Sequence, residues 1–292
     1  VQLLVNALIG GSLAALLAGG LSLVYGVLGV FNLALGQLAL VGGYATWWLH
    51  QVAGLPLLVS ILGGVLVGAA VTALTFEVAV GPFYRRHRFL PIVTTIAWSM
   101  ILDALILLVF QEYPRTILGT NKLFFDLLGA QISVQHIVLI VATILFLCLV
   151  AWTLHRTTLG RKIRATVQHP EAARSLGIPS HILHRVVFLG SGILAALGGI
   201  FIGIDQNLSP VLAFPFTIKA YAAVIAGGRD NLWGAILAAY VIAFLEQFLI
   251  GIHWFGRYYV PAGYQSTVAL VFIIGVLLLR PVGLFATRSR LA

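Results

Sequence analysis

The chain has 292 residues, 61% of them hydrophobic and only 9% charged, with a formal net charge of +9. A soluble domain carries roughly 25% charged residues, so composition excludes a soluble globular protein. The positive charge does not point to nucleic acid, because the basic residues fall between apolar segments, and the single cysteine, Cys148, excludes an internal disulfide framework.

Taken in order, the first apolar segment runs from about Leu3 to Val27 and carries Gly10, Gly11, Gly19 and Gly20. Small residues let helix backbones approach closely, so it reads as a helix inside a bundle. A break follows around Gly26, Gly29 and Asn32, and Leu33 to Trp48 continues as an interrupted second span. Gly54 and Pro56 mark a turn before a third span, Leu57 to Val80. The loop GPFYRRHRFLP is short and basic, which places it in the cytoplasm. Ile92 to Phe110 crosses outward, residues 111–134 form an external loop, and Gln135 to Leu154 returns to a central basic loop, 155–184.

Val186 to Ile204 leads outward again, with Gly199 and Gly203 on a small-residue face. Ser209, Pro210 and Pro215 precede a short piece, Ile218 to Ala226, which looks too short to span. The turn GGRDN, a span from Leu232 to Ile250, a loop around Gly256 and Arg257, and a last span from about Ala262 to Leu279 complete the chain. In this orientation 13 of the 17 lysines and arginines are internal, the exceptions being Arg115, Lys122, Lys219 and Arg257. The expectation is an all-α polytopic membrane protein forming one transmembrane domain over 1–292. It has about nine full or partial crossings, an external N-terminus and a cytoplasmic C-terminus.

The two irregular zones correspond. Each follows a Gly-rich helix with a broken polar region (Asn32 to Gln37; Asp205 to Lys219) and then a shorter helix. An odd number of crossings between them gives two inverted repeats, about 1–110 and 185–280, with the permeation path expected at their interface. Polar residues within apolar segments point to the same place, because burying them in lipid is costly. Candidates lining the path are Asn32, Gln37, Tyr44, Lys219 and Glu246, with Asp103 also inside a span. Interfacial anchoring explains Lys219 and Glu77 as readily, and interhelical hydrogen bonding explains Asp103 and Glu246. No spacing suggests catalysis: GxxxxGK[ST], HExxH, paired cysteines and GxSxG are all absent. A self-contained secondary transporter or channel with inverted repeats also fits these features, whereas a membrane enzyme has no catalytic constellation to support it.

The longest polar interval is LGRKIRATVQHPEAARSLGIP, where Gly160, Arg161 and Arg164 precede a short helix. Pro170 suits a first helical position and Glu171 the positive end of the dipole. Ala172, Ala173 and Leu176 form an apolar stripe, and Gly177 with Pro179 provides a stop. Such a helix either presses on another protein or lies on lipid headgroups.

This interval resembles the ATPase-contacting loop of ABC-importer permeases: Glu171, Ala172, Ala173 and Gly177 fit EAAxxxG, although the later IxLP element is missing. Over nearly its whole length the chain resembles the permease family of branched-chain amino-acid importers. The matching pieces are YGVLGVFNLALGQLALVGGY, TTLGRKIRATVQHPEAARSLGI, then SP, IKAYAAVIAGG, WGAILAAY, Glu246 and LLLRPVGLF. Two positions depart from the pattern: Leu35 stands where relatives carry histidine, and Arg229-Asp230-Asn231 occupies a turn that is normally Gly-rich and uncharged. The resemblance implies a fold like that of the ribose and cobalamin importer permeases with one outer helix fewer. It implies that two permeases, the second a homologue of this one, enclose a central path in a bacterial inner membrane. A periplasmic binding protein delivers the solute, and two cytoplasmic ATPases, one of them gripping the helix at 169–177, bind ATP and magnesium. This chain itself is expected to bind no cofactor, metal or nucleic acid. Branched-chain amino acids are the implied cargo, although relatives also carry urea, short amides and carboxylates.

Overall fold

A computed structural model describes residues 2–84, 89–118, 124–127, 130–228, 231–251, 265–280 and 283–285. The basic cluster Arg85, Arg86 and Arg88, the Arg229-Asp230 pair, the loop at Gly256 and Arg257, and the tail arginines Arg288 and Arg290 lie outside the described residues.

Eleven helices are described: α1 (Gln2–Leu28), α2 (Leu35–Trp47), α3 (Leu57–Thr75), α4 (Leu90–Phe110), α5 (Val134–Arg156), α6 (Thr158–Gln168), α7 (Pro170–Ser175), α8 (Ser180–Asp205), α9 (Ala213–Gly227), α10 (Leu232–Gly251) and α11 (Gln265–Leu279). Helices α2 and α3 each run on into a π-helical turn, Trp48–Val52 and Phe76–Val80. Seven of the described helical stretches are long and apolar enough to cross a membrane. The interrupted α2 and the 15-residue α11 are shorter.

Buried α1 and α8 form the centre, while α3, α4 and α5 turn most of their length outward. Packing alternates between the two ends of the chain. Helix α1 lies against α10, as α8 lies against α3, and α2 lies against α8, as α9 lies against α1. On α3 the face that meets its neighbours is small and polar. Its buried positions are Ser60, Gly64, Gly68, Thr72 and Thr75, spaced about one turn apart, whereas Leu58, Leu62 and Leu66 point out. Lipid is as apolar as leucine, so α3 gains nothing by turning its leucines inward; close backbone contact and interhelical hydrogen bonds select its buried stripe instead.

Three expectations change. The outer loop is not wholly irregular: Phe124–Leu127 (β1) and Ala130–Ser133 (β2) pair antiparallel, with Phe124 opposite Ser133 and Leu127 opposite Ala130. The piece expected from Ile218 to Ala226 is longer, because a 3₁₀ turn over Pro210–Leu212 feeds directly into α9. Pro215 falls in the first turn of α9, where a proline's missing N–H leaves no intrahelical bond unmade. Finally, the central basic loop holds two helices rather than one, since α6 precedes α7. Thr157 caps α6, its hydroxyl accepting from the Gly160 N–H at 3.2 Å.

Candidate functional site

The break between α1 and α2 leaves backbone donors inside the bundle, and side chains from three places satisfy them. The Asn32 side-chain oxygen accepts from the Ala34 N–H at 3.1 Å, Thr95 of α4 accepts from Leu33 at 3.3 Å, and Thr217 of α9 accepts from Gly36 at 3.0 Å. Irregular backbone at membrane depth persists only where it is satisfied in this way. The buried Asn32 thus helps to hold the break. The two threonines, which sequence reasoning passed over, tie it to both halves of the chain. Leu35 is completely buried in the apolar core.

Gln37 and Tyr44 also point into the bundle. The Gln37 amide donates to Asp103 at 3.1 Å, joining α2 to α4. Tyr44 stacks on Phe110 at 4.6 Å between ring centroids, and its hydroxyl is buried with no hydrogen-bond partner among the described residues. Removing an unpaired buried hydroxyl relieves a desolvation cost. Tyr44→Phe is therefore expected to leave the thermal midpoint of the detergent-solubilised protein unchanged or raised. A loss of about 1 kcal/mol, the size of one hydrogen bond, would reveal a partner for the hydroxyl in the working state.

Lys219 and Glu246 come together. The Lys219 ammonium donates to Glu246 Oε2 at 2.8 Å, linking α9 to α10, and Glu246 is only 3% exposed. Lys219 is a member of a buried ion pair and not an interfacial anchor. Beside the pair lies a cavity of about 420 Å³ between α1, α8, α9 and α10. Its walls include Asn6, Gly10 and Leu13 of α1, Phe216 of α9, and Ile242 and Gln247 of α10. His136 Nε2 lies 3.1 Å from Asp205 Oδ1, and both residues line the same space. The cavity sits at the end of the bundle opposite the basic loop, since α5 runs from His136 to Arg156 and α8 from Ser180 to Asp205. Of the five residues expected on a path, Lys219 and Glu246 line this cavity, while Asn32, Gln37 and Tyr44 are interior joints. His136 and Asp205 were not singled out, because each sits at a helix end where polar residues carry no signal.

The outer loop is fastened over the same end. Arg115 and Leu208 exchange backbone hydrogen bonds, 3.0 Å and 2.7 Å, and the Arg115 guanidinium lies 4.8 Å from the Trp47 ring centroid. At the other end Glu77 pairs with Arg185, and both are about half exposed.

In the basic loop the expected apolar stripe divides. Ala173 is buried, Ala172 is exposed, and Leu176 is 79% exposed. Pro170 opens α7 and Glu171 lies in its first turn, as its residue types predict. The end of α7 is a Schellman turn: Ile178 N–H donates to Ala173 at 3.0 Å and Gly177 N–H to Arg174 at 2.9 Å, with Gly177 at φ +75°. Helix α6 fixes the approach. Its Ile163 packs with Leu183 and Val187 of α8, Arg164 donates back to the Leu154 carbonyl, and Arg161 faces outward. Gly160 touches the last carbonyls of α5, where a Cβ would overlap Leu154. Gly160→Ala is accordingly expected to cost about 1–3 kcal/mol through overpacking, read as a lowered thermal midpoint; an unchanged midpoint would mean that α6 is free to shift.

Comparison with known proteins gives the family and the fold. The family described as "Branched-chain amino acid transport system / permease component" matches residues 3–279. The branched-chain amino-acid permease BraD of Pseudomonas aeruginosa is 29% identical over 297 aligned residues, covering 97% of this chain and 94% of that protein. The LivH homologue of Methanocaldococcus jannaschii is 28% identical, with 97% and 91% covered. Part of the chain, 46%, is 29% identical to the autoinducer-2 import permease LsrC of Yersinia pestis. Two solved structures share the fold at 16% identity: PsaBC of Streptococcus pneumoniae, TM-score 0.51 with 100% and 94% covered, and a transporter described as of metal-chelate ABC type, inward-facing, TM-score 0.52 with 96% and 85% covered. The chain belongs to the family of branched-chain amino-acid transport system permease components, multi-pass membrane proteins that are not themselves enzymes and that work with ATPase and binding-protein partners.

Proposed function

We propose that this chain forms half of the translocation path of an ATP-driven importer for branched-chain amino acids or a related small polar or carboxylate solute. The observation that carries the reading is the mechanical continuity of α7 and α8. Exposed Leu176 is separated from α8 only by Gly177, Ile178 and Pro179, and α8 runs unbroken for 26 residues to Asp205 at the cavity. At 1.5 Å per residue that is about 39 Å of rigid rod. A partner closing on α7 therefore moves the far end directly, which is what alternating access requires.

In this reading residues 155–184 are the ATPase-coupling segment, and the two inverted repeats span about 1–110 and 185–280. The reciprocal packing of α1 on α10 and of α8 on α3 supports that division. The N-terminus is external and the C-terminus internal in a bacterial cytoplasmic membrane, so the cavity opens toward the binding protein. The partners are a second, homologous permease in a heterodimer, two ATPases that carry ATP and magnesium, and a periplasmic binding protein; this chain holds no cofactor and no nucleic acid. The test is purification of the tagged chain in mild detergent with assay of ATPase activity on what accompanies it. Copurifying nucleotide-binding subunits with vanadate-sensitive turnover are the expected result. A chain that elutes alone and moves solute in liposomes without ATP would establish a self-contained transporter instead.

A further inference from the structure

At the basic-loop end of the bundle, α1, α6, α7 and α8 enclose a second cavity of about 360 Å³. Tyr25, Arg174, Ser180 and His184 line it, all with groups able to donate a hydrogen bond, and among the described residues no carboxylate does. The acidic side chains of the neighbouring elements lie elsewhere: Glu171 is exposed in the first turn of α7, and Glu77 is held by Arg185. Helix α8 begins at this cavity. Its first intrahelical bond runs from the Leu183 N–H to the Pro179 carbonyl at 3.2 Å, so the amides of Ser180, His181 and Ile182 precede it, and no side chain among the described residues caps them. The positive end of a 26-residue helix therefore meets the cavity. Ser180 points to a ligand independently. It is only 6% exposed, and its hydroxyl is buried with no hydrogen-bond partner among the described residues. Leaving such a group unpaired is costly, and a partner from outside the chain removes the cost.

We infer that this cavity binds a phosphate group, held by the Arg174 guanidinium, the Ser180 hydroxyl and the first amides of α8. Helix N-termini take phosphate because their unpaired amides and the helix dipole both favour an anion, and the planar guanidinium fork matches phosphate oxygens in pairs. The space is larger than a monatomic ion fills, and Val27 and Val167 give it an apolar margin for the body that carries the phosphate. A ligand so placed touches α7 and α8 on either side of the short link at Gly177, Ile178 and Pro179. Its occupancy stiffens the joint through which closure on α7 reaches α8. That consequence rests on the importer reading; the binding does not. The phosphate belongs either to a soluble phosphorylated metabolite or to the headgroup of an anionic lipid, two sources of the same chemistry.

The experiment places a cysteine in the cavity wall. Gly26 lines this space, and a Cβ there meets nothing within 4 Å. Gly26→Cys is made with Cys148→Ser, and the chain, purified with whatever subunits accompany it, is labelled by a membrane-impermeant thiol reagent. In a maltoside detergent, inorganic phosphate is expected to slow labelling relative to chloride at equal ionic strength. That result, with or without a lipid effect, assigns the site to soluble phosphate compounds. Slower labelling in phosphatidylglycerol nanodiscs than in phosphatidylcholine nanodiscs, with no effect of inorganic phosphate in detergent, assigns it to a lipid headgroup. In whichever arm protects, Arg174→Gln is expected to weaken protection at least about tenfold and Ser180→Ala about fivefold. Neither change threatens the fold, since Arg174 is exposed and Ser180 loses only an unpaired hydroxyl. No protection in either arm, or protection unchanged in both variants, would overturn the site. Labelling needs neither ATP nor solute, so its failure is separate from failure of the importer reading, which copurification of the ATPases decides.

Discussion

Gly199→Val is expected to prevent the chain from folding, whereas Gly190→Val, on the same helix, is expected to be tolerated. At the crossing of α2 and α8 the backbones touch: a Cβ on Gly199 would sit within the Ala39 carbonyl, one on Gly42 would lie 2.6 Å from Ala196 Cβ, and one on Gly43 would lie 2.8 Å from the Gly199 oxygen. Gly190 meets nothing within 4 Å. In lipid no hydrophobic force restores two helices pushed apart, because association depends on close contact. Overpacking a core costs about 1–3 kcal/mol for a modest addition, and here the obstruction is backbone that cannot turn aside. Against a total stability of about 5–15 kcal/mol, a whole isopropyl group at this seam exceeds what the fold tolerates. Size-exclusion profiles of solubilised protein should show Gly199→Val aggregated and Gly190→Val monodisperse. Equal behaviour of the two would remove the α2–α8 seam from the centre of the fold.

Leu176→Glu carries the second large effect. Leu176 is 79% exposed and contributes little to the fold of this chain, so its replacement should change stability by no more than about 0.5 kcal/mol. Anchors in protein interfaces, by contrast, lose about 2–4 kcal/mol on truncation, and introducing a charge is no milder. Uptake driven by ATP in proteoliposomes is expected to fall at least about thirtyfold with membrane insertion intact. Two other substitutions in the loop reach the same end differently. Ala173→Glu forces a carboxylate into a site that is 2% exposed and lifts α7 from the bundle. Gly177→Arg places a side chain at φ +75°, which costs about 1–2 kcal/mol and loosens the link to α8. Normal uptake by Leu176→Glu would mean that ATPase closure enters the chain somewhere other than α7.

Much of the scaffold was legible because hydropathy is a local property. The third span, expected from Leu57 to Val80, is α3 with its π-helical turn, and the span expected from Leu232 to Ile250 is α10 within one residue. Residue chemistry likewise placed Pro170 and Gly177 at the two ends of α7. Helix α6 was missed although its evidence was present: Thr157 is an N-cap, and Gly160, Ile163 and Thr166 repeat every third residue. Arginine and lysine stand between those positions, so the helix is strongly polar and carries no membrane-span signal. The continuation of α9 upstream through Pro215 was missed because proline reads as a stop, when in a first turn it is a start.

The sequence by itself determined the class of protein, the spans, the broken zones and the family. Each of these follows from a contiguous stretch meeting lipid or water, or from motifs read in order. Only the tertiary structure decided what the intramembrane polar residues do. Lys219 meets Glu246 across 27 residues, and Gln37 meets Asp103 across 66. Asn32 is engaged within the break, while His136 and Asp205 join the cavity from helix ends. Helices in a bilayer carry apolar residues on every side, so hydropathy alone does not reveal which face turns inward. That choice is made where glycine and threonine let backbones touch, and those contacts then determine which charges find each other.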